Sequence, residues 1–301
     1  MSLLDAIIRL GLPLVPRFIV KRVARPYVAG ETLEQAVEVV RQLNAQGAMA
    51  TLDYLGEAAV EPAKVDEAVA EYVKLLDAIQ REGLDSNVSL KPTMMGLELD
   101  EGLFERSVTR VALRARELGN FVRLDMEDHP TVDRTLGLYR RLQGGLGNLG
   151  VVLQSMLRRT MDDVDALGPM TPNVRLVKGI YREPRAVAWP SPHTIRENFI
   201  HLLERLFSAG SYVAIATHDE HLVWAAQAMI QRLGLGRERY EFQMLLGVDP
   251  GLRKIVLDQG HRLRVYVPYG RDWYAYSLRR LRENPSVAWH VLRALIRGER
   301  G

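Results

Sequence analysis

Two adjacent arginines near the carboxyl end of the chain have the spacing of an anion clamp. Arg279 and Arg280 fall on a predicted helix with Glu283, so one explanation is a surface ladder of ion pairs, which stabilises a helix little. Adjacent helical residues project about 100° apart, however, and two guanidinium groups at that angle can hold one carboxylate between them. If this helix lies over a cavity, the pair predicts a carboxylate-binding site.

A lysine, an aspartate and two tyrosines elsewhere in the chain would complete such a site. Lys91 and Asp125 each end an apolar, strand-like run. We expect them to form an ion pair in which Asp125 fixes the ammonium group of Lys91, so that Lys91 can orient the bound carboxylate. Tyr181 and Tyr266 would supply flat, amphipathic walls. The predicted site is small, selective for anions and partly aromatic, which suits an amino acid.

The elements that must position these residues are short strand-like runs that alternate with helical patterns. The runs are residues 48–54, 87–91, 121–126, 150–154, 174–179, 212–218, 240–245 and 262–268. Between them, apolar residues recur with the period of a helix, as at Val65, Val69, Tyr72 and Leu76. Strands separated by helices pair in parallel, and eight such units close most simply into a barrel. We therefore predict an α/β fold: a single parallel (β/α)8 TIM-type barrel with an N-terminal helical extension and the last helix over the barrel mouth.

Polar residues stand at the ends of these runs, where chemistry gathers in a barrel of this kind. They are Asp53, Lys91, Asp125, Gln154, Lys178, Thr217, His218, Asp219, Gln243 and Tyr266. One polar residue at a strand end is usually only solvated, but such a succession favours a functional site.

The domain organisation is predicted to be simple. Residues 1–45 would form the N-terminal helical extension and residues 46–301 the barrel domain, because no low-complexity or long polar linker divides the 301 residues. The apolar opening is interrupted by Asp5, Arg9 and Arg17. We expect it to be neither a signal peptide nor a spanning helix.

Charge is unevenly distributed along the chain. The formal net charge is +3, but basic residues concentrate at both ends and the middle is acidic. An acidic middle argues against a nucleic-acid groove, which needs a continuous basic stripe. Basic ends suit a membrane surface, although a solvated face is the favoured explanation. The absence of cysteine excludes disulfides and thiolate metal sites.

Two patterns are misleading. Gly145, Gly147 and Gly150 spell GxGxxG, but a helical pattern precedes them and a strand follows, unlike a dinucleotide-binding turn. We interpret them as the loop before the fourth strand, with glycine ending the helix. The acidic stretches 127–129 and 162–165 have no recognised ligand spacing, so we predict no metal site.

Six segments, in order, resemble those of the monofunctional bacterial proline dehydrogenases. They are residues 89–93 (SLKPT), 123–127 (RLDME), 175–181 (RLVKGIY), 216–219 (ATHD), 265–270 (VYVPYG) and 276–284 (YSLRRLREN). Each alone is a weak signal, whereas all of them in order are a strong one. The sequence departs from the family pattern at one position: the family usually has alanine where this chain has Ile180.

The resemblance implies roles for individual residues. The implied substrate-binding residues, for L-proline, are Lys91, Tyr266, Arg279 and Arg280, and the implied catalytic residues are Asp125 and Tyr181. The implied FAD-binding residues are Met126, Gln154, Arg175, Lys178, Gly179, Ile180, Thr217, His218 and Glu283. Of these, Arg175 would lie near the reactive edge of the flavin.

The reaction that the resemblance implies is the oxidation of L-proline to Δ1-pyrroline-5-carboxylate, the first step of proline catabolism to glutamate. Hydride would pass from C5 of proline to N5 of FAD, and electrons would then pass to a membrane quinone. The expected location is the cytoplasm, with peripheral contact at the inner face of the cell membrane as an open alternative. The oligomeric state also stays open.

Three other functions remain open on the sequence alone. Lys178 ends a predicted strand beside Tyr181, so a Schiff-base lyase or aldolase is one alternative. A folate reductase shares the flavin barrel but needs no paired arginines. The third is a non-catalytic protein held at a membrane surface by its basic ends.

Overall fold

The computed structural model describes residues 25–274 and 276–278, and within them parallel strands alternate with helices in chain order. The strands are β1 (Met49–Tyr54), β2 (Ser86–Leu90), β3 (Val122–Leu124), β4 (Leu149–Gln154), β5 (Asn173–Val177), β6 (Tyr212–Ala216), β7 (Tyr240–Leu245) and β8 (Leu263–Tyr269). All eight predicted strands are confirmed. Strands β2, β3, β5 and β6 end before their predicted ends, so the polar residues that follow them lie in loops.

Helices fill the intervals between the strands. They are α1 (Leu33–Ala45), α2 (Pro62–Arg81), α3 (Glu101–Glu117), α4 (His129–Leu146), α5 (Thr160–Leu167), α6 (Pro192–Ser208), α7 (Glu220–Leu233) and α8 (Pro250–Asp258), with short 3-10 helices at Gly168–Met170 and Arg237–Arg239. Side-chain oxygens of Asp100, Ser191 and Asp249 accept backbone N–H groups at the starts of α3, α6 and α8. Such N-caps satisfy donors that a helix start leaves free.

The sheet is a closed barrel whose strands are neighbours in chain order. Closure comes from parallel pairing of β1 with β8, in a register that runs from Met49 opposite Arg264 to Tyr54 opposite Tyr269. The predicted (β/α)8 barrel is therefore confirmed.

The apolar core lies between the strands and the helices, whereas the barrel interior is unusually polar. Leu52, Leu90 and Leu176 are fully buried in one cluster with the inward faces of the helices. Alternate strand residues face the interior, and there hydrogen bonds cross the barrel: Arg175 on β5 reaches Ser89 on β2. Barrel interiors are usually filled by branched apolar residues, so this polar filling needs an explanation beyond packing.

The glycine-rich motif has the predicted structural role. Gly147 ends α4 in the left-handed conformation, with φ of 74°. Gly150 lies in β4, and a Cβ atom there would stand 2.5 Å from Nη1 of Arg123. Arg123 fits inside the barrel because the neighbouring strand has no side chain at that point.

The two ends of the chain are described only in part. Helix α1 packs against the barrel through Ala36, Val37, Val40 and Leu43. Residues 1–24 and 279–301 lie outside the described residues, so the predicted extension of residues 1–45 and the position of the last helix stay predictions. Within the described ranges, no helix has both the length and the apolar character needed to cross a membrane.

Candidate active site

One cavity of about 860 Å³ opens at the carboxyl ends of the strands. Its volume is typical of a site for a small molecule or cofactor. It is lined by every predicted site residue that the structure describes: Lys91, Asp125, Met126, Gln154, Arg175, Lys178, Gly179, Ile180, Tyr181, Thr217, His218 and Tyr266. The predicted residues Arg279, Arg280 and Glu283 lie outside the described residues, but Tyr276, just before them, also lines the cavity.

Asp125 is the centre of a hydrogen-bond network at the floor of the cavity. Its Oδ1 accepts from Nη1 of Arg175 and from Oγ of Ser89, both at 2.6 Å, and its Oδ2 accepts from the hydroxyl of Tyr266 at 2.8 Å. Burial raises the pKa of Tyr266 well above its ordinary value. The phenol therefore stays protonated at neutral pH and remains a donor.

The predicted ion pair between Lys91 and Asp125 was wrong. Nζ of Lys91 lies 2.5 Å from Oδ1 of Asp53 instead. Lys91 follows β2, which lies between β1 and β3, and the lysine turns towards Asp53 on β1 because Arg175, Ser89 and Tyr266 already occupy both oxygens of Asp125. The sequence identified Asp53 only as a polar strand end.

The carboxylate of Asp53 is deeply buried, with 1% of its side chain exposed. Burial raises its pKa above the ordinary value, and the positive charge of Lys91 opposes that rise. The buried Oδ2 atom has no hydrogen-bond partner among the described residues. Lys91 is therefore the principal partner of this carboxylate, and its position depends on Asp53.

Arg175 is held on two sides and leaves one donor unused. Nε donates to Oε1 of Gln243 at 2.6 Å, and Nη1 donates to Asp125. The guanidinium carbon lies 5.2 Å from the centroid of the Tyr266 ring. Nη2 is buried and finds no hydrogen-bond partner in the described part of the chain. A buried donor of this kind is rare and calls for a ligand or another explanation.

A second cluster of charge lies on the β5 and β6 side of the cavity. Oδ2 of Asp219 accepts from Lys178 at 3.0 Å and from Nε of Arg196 at 2.6 Å. Burial alone would raise the pKa of Asp219, but the hydrogen bonds from Arg196 and Lys178 outweigh it and lower the pKa. The two cations remain 44% and 41% exposed, so they can also meet an anionic ligand. Sequence reasoning missed Arg196 because it lies inside α6, away from any strand end.

The loop that follows β5 is fastened to the start of α4. Oε1 of Glu183 accepts the backbone N–H of His129 at 2.9 Å, and Oε2 lies 2.6 Å from Nδ1 of the same histidine. Only 3% of the Glu183 side chain is exposed. The same loop carries Gly179, in a positive-φ conformation at 101°, and Tyr181. Glu183 therefore fixes a loop that lines the cavity.

Two polar residues at the mouth have partners that define their orientation. Gln154 donates from Nε2 to the carbonyl of Glu127 at 2.8 Å, which leaves the amide oxygen end facing the opposite way. Nε2 of His218 accepts the backbone N–H of Leu245 at 2.9 Å. A ring nitrogen that accepts carries no proton, so neutral His218 carries its proton on Nδ1.

The fold and this cavity define the chain as an α/β-barrel enzyme, and comparisons of the sequence narrow the class. A sequence model of the proline dehydrogenase family matches residues 36–292. The chain belongs to the proline dehydrogenase family and is an oxidoreductase.

Individual relatives agree with this family. The chain is 40% identical over 280 residues to a proline dehydrogenase of Deinococcus radiodurans, over 91% of this chain and 90% of that protein. It is 37% identical over 274 residues to proline dehydrogenase 1 of Bacillus subtilis strain 168, over 91% of each. It therefore matches the length of these relatives.

A solved structure shares the fold. Proline utilization A from Bdellovibrio bacteriovorus, inactivated by N-propargylglycine, superposes with a TM-score of 0.82 at 24% identity, over 88% of this chain and 33% of that one. This chain thus corresponds to about a third of that longer protein, and the likeness supports the barrel.

Proposed function

We propose that this chain catalyses the FAD-dependent oxidation of L-proline to Δ1-pyrroline-5-carboxylate and passes the electrons to a quinone. The observation that carries this proposal is the guanidinium of Arg175, whose buried Nη2 has no partner among the described residues of the cavity wall. Leaving such a donor unpaired costs about 1–3 kcal/mol. A flavin ring edge, rich in acceptor nitrogen and oxygen atoms, would satisfy it.

The residues present fit FAD. The apolar side chains of Met126 and Val152, in the cavity wall, provide a surface for a flat ring. The half-exposed cations Lys178 and Arg196 suit a pyrophosphate. The residues that would hold FAD are Met126, Gln154, Arg175, Lys178, Gly179, Ile180, Thr217, His218 and Glu283. When bound, FAD would supply the hydride acceptor at its N5 atom.

The substrate side of the proposal rests on cations and tyrosines. Lys91, held by Asp53, would orient the proline carboxylate together with Arg279 and Arg280, while Tyr181 and Tyr266 would form the walls of the pocket. Asp125 would act by holding Arg175 and Tyr266 in place. Both of its oxygens accept hydrogen bonds, which suits this positioning role. Proline would bind as the neutral amine, so that the reaction needs no strong base.

No observation favours the Schiff-base alternative. A nucleophilic lysine is activated by desolvation in an apolar pocket or by a neighbouring cation. Lys178 is instead ion-paired with Asp219 and 41% exposed. The quinone acceptor and a peripheral contact with the cytoplasmic face of the membrane belong to the proposal, supported by the basic ends of the sequence.

An anaerobic titration tests the proposed function directly. Purified protein should be yellow, and its flavin absorbance should bleach on addition of L-proline but not of D-proline. Reoxidation by a soluble quinone analogue should then outpace reoxidation by air. A protein that binds no FAD, or whose flavin L-proline leaves oxidised, would overturn the proposal.

A further inference from the structure

A buried carboxylate, Glu241, lies in the barrel interior beneath the cavity and has no place in the mechanism above. Glu241 and Gln243 are two residues apart on β7, so their side chains project from the same face of the strand. Both are buried, at 2% and 4% exposure. Gln243 lines the cavity and Glu241 does not.

A continuous chain of hydrogen bonds joins Glu241 to Arg175. Nε2 of Gln243 donates to Oε1 of Glu241 at 2.5 Å, and Oε1 of Gln243 accepts from Nε of Arg175 at 2.6 Å. Glu241 is held in turn by Nε of Arg264 at 2.8 Å, on Oε1, and by the hydroxyl of Tyr212 at 2.9 Å, on Oε2.

The charge state of Glu241 fixes the donor and the acceptor in each of these hydrogen bonds. Burial opposes its ionisation, but the positive charge of Arg264 and the hydrogen bonds from Arg264, Gln243 and Tyr212 outweigh burial and lower its pKa to about 2. An ionised carboxylate only accepts hydrogen bonds, and a guanidinium only donates them. The amide of Gln243 must therefore turn its nitrogen to Glu241 and its oxygen to Arg175.

We propose that Glu241 is a positioning residue that fixes the amide orientation of Gln243 and, through it, the guanidinium of Arg175. This inference rests on the proposed function. With Nε committed to Gln243 and Nη1 to Asp125, the guanidinium plane is set by two contacts, and Nη2 is left for the ligand. Gln243 lies on β7 and Asp125 in the loop after β3, so the arginine cannot rotate without breaking one of these contacts.

The simpler explanation is that Glu241 only neutralises Arg264. The two explanations differ in what an uncharged replacement does to residues 243 and 175. In Glu241→Gln the side chain at 241 can donate as well as accept, so it no longer requires the nitrogen of Gln243. Only the bond from Arg175 then opposes a flip that would turn the NH2 group of Gln243 towards a guanidinium that cannot accept. Tyr212→Phe removes one hydrogen bond from the same carboxylate but keeps its charge, and is the matched control.

The experiment compares the wild type, Glu241→Gln, Tyr212→Phe, Gln243→Leu and the double variant Glu241→Gln/Gln243→Leu as FAD-loaded proteins. The readouts are the reduction potential of the bound flavin and kcat and KM for L-proline, after thermal unfolding has shown that each variant is folded. In Glu241→Gln we expect a more negative flavin potential, because a displaced cation no longer stabilises the reduced form, and a roughly tenfold lower kcat. In the Gln243→Leu background, Glu241→Gln should change neither quantity further, because residues coupled through a shared partner are not additive.

Crystal structures of the variants give a readout that needs neither FAD nor proline. In Glu241→Gln the bond between Arg175 and Gln243 should be lost or lengthened, whereas Tyr212→Phe should keep it. Glu241 would be only a counter-ion of Arg264 if a folded Glu241→Gln kept that bond and the wild-type potential. The same conclusion would follow if Tyr212→Phe matched the effects of Glu241→Gln, or if the effect of Glu241→Gln persisted without Gln243. If L-proline did not reduce the flavin of the wild type, the proposed function would be wrong instead. The crystal structures would still decide the role of Glu241.

Discussion

Asp53 on β1 and Lys91, which directly follows β2, form an ion pair at the floor of the cavity, with 2.5 Å between Oδ1 and Nζ. The aspartate is almost fully buried and the lysine is 19% exposed, so the pair directs one cation towards the cavity. Asp53 is therefore expected to affect substrate binding through Lys91, although it was not among the predicted site residues.

Asp53→Asn should raise KM for L-proline about tenfold, because a hydrogen bond to a charged group contributes about 1.5–3 kcal/mol and Lys91 loses its only ionic partner in the described site. Steady-state kinetics and FAD content measure this. Asp258→Asn, which breaks an exposed pair with Lys254, should change neither. An unchanged KM in Asp53→Asn would show that Lys91 needs no such support.

Tyr266→Ser should relax discrimination against 4-hydroxy-L-proline, because the phenol ring occupies space that an extra hydroxyl would need. The ratio of kcat/KM for the two substrates should fall about tenfold. Tyr266→Phe keeps the ring and loses only the hydrogen bond to Asp125, so it should keep the selectivity while kcat/KM for proline falls. Equal selectivity in the serine variant and the wild type would count against this packing.

Arg280→Met should raise KM for L-proline by ten- to a hundredfold, while FAD stays bound. This range corresponds to the loss of about 1.5–3 kcal/mol from one charge-assisted contact to a carboxylate. Arg280 lies outside the described residues, so the result would also locate it. Exposed Arg271, changed to methionine, is the control and should leave KM alone. If Arg280→Met and Arg271→Met have the same KM for L-proline, the proposed carboxylate clamp is wrong.

The fold could be predicted because periodicity alone separates these strands from these helices. Strand-like runs such as 240–245 contain alternating or continuous apolar residues between helical patterns, and β7 has those same bounds. The parallel order then follows from the alternation, and the order places all strand ends at one mouth. For that reason the predicted strand-end residues, from Lys91 to Tyr266, could be placed at one mouth before any contact was known. Arg175 and the role of each residue came only from the family resemblance.

The contacts within the site could not be predicted, because they depend on which strand faces which across a closed barrel. Lys91 has a neighbour on each side, and the sequence does not say that Asp53, not Asp125, is its partner. Arg196 reaches the cavity from a helix, with no strand-end position to reveal it. The role of Glu241 could not be predicted either, because a charged residue inside a strand is usually interpreted as facing solvent.

Glu183→Ala should destabilise the protein by about 1 kcal/mol and raise KM for L-proline. Asp128, the N-cap residue of α4, makes no side-chain capping hydrogen bond, and Glu183 supplies an acceptor for the helix start from another loop. Loss of a cap costs about that much, and the loop that carries Tyr181 loses its anchor. Urea unfolding and steady-state kinetics measure the two effects. Glu197→Ala on α6, with 59% of its side chain exposed, is the control and should show neither effect. A normal KM in Glu183→Ala would mean that the loop keeps its conformation without Glu183.

The contribution of Glu241 to stability should disappear in acid. Its pKa in the folded protein, about 2, lies below the ordinary value of 4.5, so between these values the unfolded chain binds more protons and stability falls as pH falls. Glu241→Gln has no carboxyl group at this position and lacks that part of the pH dependence. The difference in free energy of unfolding between the wild type and Glu241→Gln should therefore be largest above about pH 5 and shrink steadily below it, as urea unfolding from pH 7 to pH 3 would measure. Asp258→Asn, at an exposed carboxylate, should show a small difference that hardly changes with pH. A large difference for Glu241→Gln that stays constant down to pH 3 would mean that the variant loses packing, not an ionised carboxylate.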